Sequence, residues 1–298
     1  MNILIAGGSG FIGKSLANIL SANHDLTLLS RSSNLVNSAY KSVLIWENLN
    51  ENVISQFDII INLCGYNISD SRWSNRIRKK IIDSRTKTTH KLVELIGSKN
   101  IWLINASAIG FYSFSSKKQD ERNFLKTEPS NWSFCQHITN QWESVVSLSN
   151  VRKWTILRFG VVLDNGGMLA KLIPSAKIGL GAVIGDGTQL ISWVSLNDLC
   201  RAICFIIDKR IHSKAINIVS PHPSTQRELI ESLCVSLNRP RLFKIPKGIV
   251  LMLFGQMGKE LLLGSHNIYP TLLSDYGFQF NDTSINSCID KIITGATQ

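Results

Sequence analysis

Residues 1–13 of the chain read MNILIAGGSGFIG, and this stretch decides the fold. Residues 2–6 form an apolar run rich in branched side chains, which is typical of a buried parallel strand. A cluster of glycines follows at once, and apolar residues then recur at helical spacing over residues 14–20. The order strand, glycine turn and helix is the structural context that a dinucleotide-phosphate loop requires.

The glycines of this turn have separate physical roles. Gly7 lets the chain leave the strand sharply, Gly10 carries no Cβ that would hold a pyrophosphate away from the backbone, and Gly13 lets the helix pack close to the strand. The unpaired N–H groups and the positive dipole end at the start of a helix then favour phosphate. An ordinary glycine turn explains this spacing poorly. We therefore predict a nucleotide site formed by Gly7, Gly8, Ser9, Gly10, Phe11, Ile12 and Gly13.

The end of the second predicted strand, residues 25–30, indicates which nucleotide binds. In NAD enzymes an Asp or Glu about 20 residues beyond the glycines hydrogen-bonds the ribose 2′-hydroxyl. This chain has Ser30 and Arg31 there, and no carboxylate. An arginine can pair with a 2′-phosphate, and a serine hydroxyl can donate to its oxygens. NADP(H) is therefore predicted in preference to NAD, the alternative being that Arg31 is only a surface residue.

Strands and helices alternate as far as residue 219. Strands are predicted at residues 43–46, 57–63, 101–107, 154–158 and 215–219, and helices at residues 74–96, 132–148 and 198–207. The fourth strand ends in Asn62, Leu63, Cys64 and Gly65, where a small residue and a glycine let a cofactor lie close to the backbone. This alternation predicts an α/β fold with a doubly wound parallel (Rossmann) sheet covered by helices on both faces.

The composition of the sequence changes after residue 163. Residues 164–187 are rich in glycine without a strand and helix around them, so we expect a loop structure beside the substrate cleft. Residues 224–298 are expected to be mostly helical, with a turn-rich stretch at residues 264–270. We predict an NADP-binding domain of residues 1–163, completed by residues 190–220, and a smaller, mostly helical substrate-side C-terminal domain of residues 164–189 and 221–298.

Composition limits the class of protein. Hydrophobic residues make up 44% and charged residues 18% of the chain, as in ordinary globular proteins. The longest apolar run, residues 248–255, is shorter than the roughly 20 residues of a membrane span, and the start lacks the basic region of a signal peptide. The six cysteines occur singly and the histidines lack ligand spacing, so we expect no metal. A cytoplasmic protein with reduced thiols and no membrane contact is predicted.

The net charge of +11 is concentrated in residues 72–91, which hold eight lysines and arginines. This segment is either a solvated helix face, a device that attracts phosphorylated ligands, or a nucleic-acid footprint. A motif combining aromatic and basic residues, as in RNA-binding domains, is not found, so nucleic acid is the least favoured of the three.

The chain resembles the extended short-chain dehydrogenase/reductases, whose glycine pattern matches Gly7-x-x-Gly10-x-x-Gly13. It is more closely similar to the NAD-dependent epimerase/dehydratase-like family with an extra C-terminal domain. The further matching positions run along nearly the whole chain: Ser30-Arg31, Asn62 to Gly65, Arg72-Trp73, Ser84-Arg85, Ser107, Gly110-Phe111-Tyr112, Trp142-Glu143, residues 157–163, Gln189, Trp193, Asp198-Leu199, Asn217, Pro270 and Gly277-Phe278.

This resemblance implies further cofactor contacts. Beyond the glycine turn they are Ser30, Arg31, Leu63, Cys64, Arg85 and Val162. Arg85 would be a phosphate partner supplied by the basic helix, and the alternative is a solvated helix charge. The superfamily also implies a small-molecule substrate and admits a homodimer formed through helices that flank the sheet.

The usual catalytic residues of this superfamily are not all present. Its members transfer hydride with a tyrosine that moves the hydroxyl proton, a lysine four residues later that lowers the pKa of the tyrosine, and a serine or threonine that orients the substrate oxygen. No tyrosine of this chain is followed by lysine at that spacing, and alignment on Glu143 places Cys135 and Thr139 at the two positions. Ser107 stands where the orienting hydroxyl belongs and is also counted among the cofactor contacts, although it could simply cap the strand.

Tyr112 is the second catalytic candidate, although a loop tyrosine is more often a packing residue. The sequence therefore predicts an NADP(H)-binding oxidoreductase or nucleotide-sugar epimerase-like protein with an altered proton donor. The alternative is a non-catalytic NADP-binding protein that regulates a protein partner, as in cell division.

Overall fold

The computed structural model describes residues 1–33, 38–240 and 243–295. Within them the strands are β1 (Asn2–Ala6), β2 (Asp25–Ser30), β3 (Ser42–Ile45), β4 (Ile59–Asn62), β5 (Trp102–Ala108), β6 (Ser115–Gln119), β7 (Lys153–Phe159), β8 (Val161–Leu163), β9 (Ala182–Ile184), β10 (Leu190–Ile191), β11 (Trp193–Ser195), β12 (Lys214–Ile218), β13 (Ser224–Thr225), β14 (Phe243–Ile245) and β15 (His266–Ile268).

The α-helices of the same residues are α1 (Phe11–Leu20), α2 (Glu51–Ile54), α3 (Asn75–Ile96), α4 (Phe134–Ser147), α5 (Gly167–Lys177), α6 (Leu196–Asp208), α7 (Gln226–Ser236), α8 (Lys247–Leu261), α9 (Thr271–Asp275) and α10 (Ile285–Thr294). Helix α8 is kinked at Gly255, which has a φ of 55°.

Seven strands form one parallel sheet in the order β12-β7-β5-β4-β1-β2-β3. The strand order reverses between β1 and β4, so the loops that follow these two strands leave the same edge of the sheet in opposite directions. Such a switch point opens a crevice at the carboxyl ends of the strands, where ligands of open α/β sheets bind. The doubly wound parallel fold predicted from the sequence is confirmed.

The sheet separates two apolar cores because successive residues of a strand point to opposite faces. Ile3 and Ile5 of β1 belong to the core under α1 and α6, whereas Leu4 and Ala6 belong to the core under α2, α3 and α4. A third core lies outside the sheet, where Leu169 of α5 and residues of α7 and α10 pack around the fully buried Trp193.

The prediction of loop structure over residues 164–187 is wrong. Helix α5 and strand β9 lie there, and β9 pairs in parallel with β14. Helix α5 buries Leu169 and Ala176 although it contains Pro174. The glycines and this proline obscure the helical spacing of the apolar residues in the sequence. Those apolar residues are buried only when residues 226–236 and 285–294 pack against them.

Residues 264–270 are also more regular than predicted. Strand β15 pairs there in parallel with β6, whose sequence SSKKQ has no apolar alternation that would predict a strand. Elsewhere in residues 224–298 the described part is mostly helical as predicted, and residues 241–242 and 296–298 lie outside the described residues. No helix of the described chain combines the length and hydrophobicity that crossing a bilayer requires.

Candidate functional site

The glycine loop after β1 is closely fitted to its surroundings. Gly7 has a φ of 77°, and a Cβ there would lie 2.8 Å from the backbone carbon of Leu63. A Cβ on Gly13 would lie 2.5 Å from the Cα of Gly8. These two glycines are therefore required by the protein itself, because backbone atoms occupy the space that a side chain would need.

Gly10 differs from these two glycines. A Cβ on Gly10 would meet only the carbonyl oxygen of Gly7, at 3.2 Å, and the φ of Gly10 is −77°. The protein thus leaves open space beside Gly10, of the kind that a phosphate approaching the backbone would fill.

The amino end of α1 has no side-chain cap. By contrast, Ser74, Ser133, Ser195 and Thr225 cap the amino ends of α3, α4, α6 and α7 through their hydroxyls. The first N–H groups of α1 are orphan donors beside a positive dipole end, which suits the oxygens of a phosphate group.

Tyr40 supports the glycine loop and was not predicted as a site residue from the sequence. Its hydroxyl donates to the carbonyl oxygen of Gly8 at 3.1 Å, and the ring is buried. Burial raises the pKa of this phenol well above its usual range, so that it stays a donor. Only the fold could reveal this contact, because the two residues are 32 positions apart.

Arg31 follows β2 at the same edge of the sheet. Its side chain is exposed, and within the part of the chain that the structure describes it has no carboxylate partner. Burial raises the pKa of the neighbouring Cys64 thiol to about 12, and the charge of Arg31 opposes this shift. Ser30 is buried, and its hydroxyl accepts the N–H of Ser32 at 3.2 Å. The structure thus brings Arg31 near the loop that follows β4.

Within that loop, residues 62–65, the side chain of Asn62 serves the protein. Its amide donates to Thr89 at 2.9 Å and to Asn105 at 2.7 Å, and its oxygen accepts the N–H of Cys64 at 3.2 Å. This network joins β4, β5 and α3 and fixes the loop. Asn62 is fully buried, so it contributes to the site by shaping the backbone of Leu63, Cys64 and Gly65.

Arg85 of α3 lies against Gly65. A Cβ on Gly65 would be 3.1 Å from the guanidinium carbon. One terminal nitrogen donates to the carbonyls of Tyr66 and Ile81 at 2.9 and 3.0 Å, and the group lies 5.3 Å from the ring centroid of Trp142. Burial lowers the pKa of Arg85 to about 10. Among the described residues this cation has no carboxylate partner, so it is available to an anionic ligand.

The far side of the crevice is formed by β8 and the start of α5. Val162 is half-buried in β8, which pairs in parallel with β11. The ring of Phe11, the first residue of α1, lies against Gly166, where a Cβ would be 2.5 Å from a ring carbon. The predicted cofactor residues on β1, β2, β4, α3 and β8 therefore gather around one edge of the sheet.

The two catalytic candidates lie in a buried chain of polar contacts. The hydroxyl of Ser107 donates to Glu143 at 2.6 Å. Glu143 in turn accepts two hydrogen bonds from Arg158, at 2.9 and 2.7 Å. Arg158 also donates to the hydroxyl of Tyr112 at 3.0 Å, and that hydroxyl donates to Asn217 at 2.9 Å.

These hydrogen bonds limit the chemical role of Ser107 and of Tyr112. Because the single proton of the Ser107 hydroxyl is directed at Glu143, its oxygen remains free to accept from a substrate hydroxyl. Tyr112 is 1% exposed, and burial raises the pKa of its phenol to about 12. In this geometry Tyr112 holds Arg158 and Asn217 together, which is the role of a packing residue.

Cys135 and Thr139, which the resemblance aligns with the tyrosine and the lysine, lie in the first turns of α4. Cys135 packs against Gly110, whose added Cβ would be 3.1 Å from the Cβ of the cysteine. The Thr139 hydroxyl donates to the carbonyl of Cys135 at 2.9 Å. Burial and a hydrogen bond with Glu260 raise the pKa of the Cys135 thiol well above its ordinary value.

Glu260 is a site residue that the sequence analysis missed. It belongs to α8, is 6% exposed, and accepts the backbone N–H groups of Phe134 and Cys135 at 3.0 and 2.9 Å. A carboxylate from the C-terminal part of the chain thus lies at the amino end of α4. A separation of 125 residues from Cys135 leaves no local signal of this contact.

The profile of the NAD dependent epimerase/dehydratase family matches residues 3–219, which include the glycine loop, Arg85 and the chain from Ser107 to Asn217. The chain belongs to this family. Residues 245–292 match a domain of unknown function, DUF1731, which corresponds to the extra C-terminal domain expected from the sequence. Within the described residues, no group of three or more His, Cys, Asp or Glu side chains is arranged to hold a metal ion.

Individual relatives resemble the chain over nearly its full length. An epimerase family protein of Mycobacterium bovis is 31% identical, over 98% of this chain and 97% of that protein. The mouse epimerase family protein SDR39U1 is 26% identical, over 98% of this chain and 100% of that protein.

Solved structures show the same fold. Human SDR39U1, crystallised with NADPH, superposes with a TM-score of 0.85 at 24% identity, over 99% of both chains. UDP-glucuronic acid 4-epimerase from Bacillus cereus, crystallised with NAD, gives a TM-score of 0.75 at 16% identity, over 99% of this chain and 98% of that chain.

Proposed function

We propose that this family member binds NADPH at the switch point and acts as an NADPH-dependent oxidoreductase or epimerase on a small-molecule substrate. The observation that carries the proposal is a set of anion-binding groups at one edge of the sheet: the amino end of α1, and the guanidinium groups of Arg31 and Arg85, which have no carboxylate partner among the described residues. Each is a cation or an N–H dipole, as a dinucleotide with an additional phosphate would require. The human relative crystallised with NADPH supports the same choice.

In this proposal the residues of the chain bind and orient, and the bound dinucleotide supplies hydride chemistry. The α1 amino end and Gly10 receive the pyrophosphate, and Arg31 receives the 2′-phosphate. Ser107, held by Glu143, accepts a hydrogen bond from the hydroxyl that forms when hydride and a proton are added to the substrate carbonyl. The resemblance aligns Cys135 with the tyrosine that serves as the superfamily's proton donor, and Glu260 accepts the backbone N–H of Cys135, so proton transfer follows an altered arrangement.

Binding and turnover are tested separately. Fluorescence titration should give a tighter dissociation constant for NADPH than for NADH. NADPH oxidation is then followed with carbonyl compounds, and epimerisation of UDP-sugars is followed by product analysis because it consumes no NADPH. Both assays compare the wild type with Ser107→Ala. Turnover that Ser107→Ala reduces at least tenfold supports the proposed role of Ser107. Equal affinity for the two dinucleotides would contradict the cofactor assignment.

A second function is favoured by the state of the catalytic candidates. Tyr112 is fully hydrogen-bonded, the proton of Ser107 is directed at Glu143, and the thiol of Cys135 is bound to Glu260. A protein that binds NADPH and regulates a protein partner would need none of these groups free. Capture of a partner from the source cells only when NADPH is present, together with no turnover on any substrate tested, would favour this second function.

A further inference from the structure

A cleft of about 270 Å³ lies between the amino end of α3 and helix α8. Its lining residues include two arginines, one glutamine and three large apolar side chains: Arg72, Arg78, Gln256, Trp73, Phe254 and Met257. Among the described residues, no carboxylate lines it. The cleft is therefore cationic on the side of α3 and apolar on the side of α8.

The two arginines have unsatisfied capacity for an anion. Arg78 donates to Gln256 at 2.7 Å and lies 5.1 Å from the ring centroid of Phe134, but its buried Nε has no hydrogen-bond partner in the part of the chain that the structure describes. Arg72 is exposed, and within residues 1–33, 38–240 and 243–295 neither arginine forms an ion pair. The amino end of α3, which has no acidic residue in its first turn, adds a positive dipole.

The apolar side of the cleft belongs to a segment of α8 in which four consecutive large apolar side chains are exposed. Leu251, Met252, Leu253 and Phe254 of α8 are 42%, 71%, 49% and 38% exposed. Four adjacent large apolar side chains in water mark an interaction surface. Phe254 also lines the cleft, so a ligand that pairs with the arginines and covers Phe254 would have an anionic end and a hydrocarbon end.

The cleft also adjoins the turn that replaces the usual proton donor. Trp73 packs edge-on against Phe134, with ring centroids 4.8 Å apart, and Phe134 precedes Cys135. A ligand in this cleft is thus separated by one aromatic layer from Cys135 and Gly110.

The geometry points to this cleft as the binding site for an amphiphilic anion, a phosphate or carboxylate head carrying a hydrocarbon chain. The head pairs with Arg72 and Arg78, and the chain lies along Phe254 and Met257 of α8. Because an aromatic layer separates the cleft from Cys135, this inference goes beyond the proposed function and concerns a second binding site.

Isothermal titration with n-octyl phosphate tests the assignment, with inorganic phosphate and the neutral octyl glucoside as comparison ligands. Octyl phosphate should bind at least tenfold more tightly than either. Arg72→Met and Arg78→Met should each weaken its binding at least tenfold, whereas Arg76→Met, on the same helix but outside the cleft, should leave it unchanged. Because the Arg72 side chain is exposed, Arg72→Met remains informative if Arg78→Met disturbs α3.

The apolar half of the site has its own pair of variants. Phe254→Ser should weaken octyl phosphate binding about threefold or more, and Leu148→Ser, which removes an 85% exposed side chain at the end of α4, should not. Equal binding of inorganic and octyl phosphate, equal effects of the Arg76 and Arg72 variants, or binding only to phosphatidylglycerol vesicles would overturn the inference.

NADPH titrations of the same proteins keep the two proposals distinct. All variants should bind NADPH as the wild type does. Failure of the wild type to bind NADPH would count against the proposed function, whereas normal NADPH binding without discrimination among the octyl phosphate variants would count against this inference alone.

Discussion

Arg31 follows β2 where NAD enzymes place a carboxylate, and its guanidinium has no carboxylate partner in the described residues. A charge-assisted pair with a 2′-phosphate is worth about 1.5–3 kcal/mol. Arg31→Ala is therefore expected to weaken NADPH binding about 10- to 100-fold and to leave NADH binding unchanged. Fluorescence titration of both dinucleotides measures this.

Arg152 supplies the matched control for that substitution. It is an exposed arginine directly before β7, at the opposite edge of the sheet. Arg152→Ala should keep the affinities of the wild type. If Arg31→Ala and Arg152→Ala weaken NADPH binding by the same factor, the effect comes from the net charge of the protein and not from a specific pair between Arg31 and the 2′-phosphate.

Gly10 and Gly13 differ in their surroundings, so substitutions at the two positions test separately for a requirement of the ligand and a requirement of the fold. Because only the Gly7 oxygen faces the missing Cβ of Gly10, at 3.2 Å, Gly10→Ala should change the free energy of unfolding by less than about 1 kcal/mol. It should nevertheless weaken NADPH binding at least about tenfold, since a methyl group would occupy the phosphate position.

Gly13→Ala should do the reverse and destabilise the fold by more than about 2 kcal/mol, because its Cβ would lie 2.5 Å from the Cα of Gly8. Chemical denaturation and NADPH titration of both variants measure the two effects. Full NADPH affinity in Gly10→Ala would show that the open space beside Gly10 is not a ligand position.

Sequence spacing predicted the residues of the glycine loop and the position of Arg31, because both depend on neighbours along the chain. It gave no sign of Tyr40 or Glu260, whose contacts with Gly8 and Cys135 join residues 32 and 125 positions apart. The direction of the Ser107 proton was equally hidden, since it depends on how Arg158 orients Glu143.

At the level of elements, one carboxylate joins helix α8 to helix α4. Glu260 is buried and accepts two backbone N–H groups together with the amide of Gln256, at 2.6 Å. Removing a buried charged acceptor leaves its donors unpaired. Glu260→Ala should therefore lower the free energy of unfolding by about 2–4 kcal/mol in chemical denaturation.

The exposed Lys259, the preceding residue of α8, is the control for this variant. Lys259→Ala should change stability by no more than about 0.5 kcal/mol. Equal effects of the two substitutions would show that α8 is held by its apolar contacts alone.

Elements with strong local patterns were predicted within one or two residues, as β2, α3 and β12 show. Helix α5 and strands β6 and β15 were not, and the reason is physical. Each depends on a partner distant in sequence: the residues of α7 and α10 for α5, and each other for the two strands. The local composition of a segment does not indicate which distant segment it will pair with.

At the level of the whole molecule, a buried histidine makes stability depend on pH. The ring of His266 is tilted against that of Phe114 with centroids 4.7 Å apart, and its Nδ1 is buried and finds no hydrogen-bond partner among the described residues. Burial lowers the pKa of His266 from 6.5 to about 4. Between pH 6.5 and pH 4 the unfolded chain binds more protons than the folded chain. The free energy of unfolding that the neutral histidine contributes is therefore complete above pH 6.5 and falls as the pH approaches 4.

His266→Phe keeps a ring against Phe114 and removes the titrating group. It should reduce the loss of stability between pH 6.5 and pH 4 by on the order of 2 kcal/mol. Denaturant titrations at the two pH values measure this, with the exposed His90→Phe as control. The same loss in the wild type and His266→Phe would place the acid sensitivity elsewhere.

The ring of Phe11 belongs at once to the nucleotide loop and to the start of α5, because it lies against Gly166. A dinucleotide bound at the amino end of α1 would therefore also restrain α5, which packs in the third core. Nucleotide binding would then affect residues that the nucleotide does not contact. Amide hydrogen exchange over Gly167–Lys177 should slow when NADPH is added, while exchange over Ile285–Thr294 keeps its rate. Unaltered exchange in the first segment would mean that the crevice and the outer core respond independently.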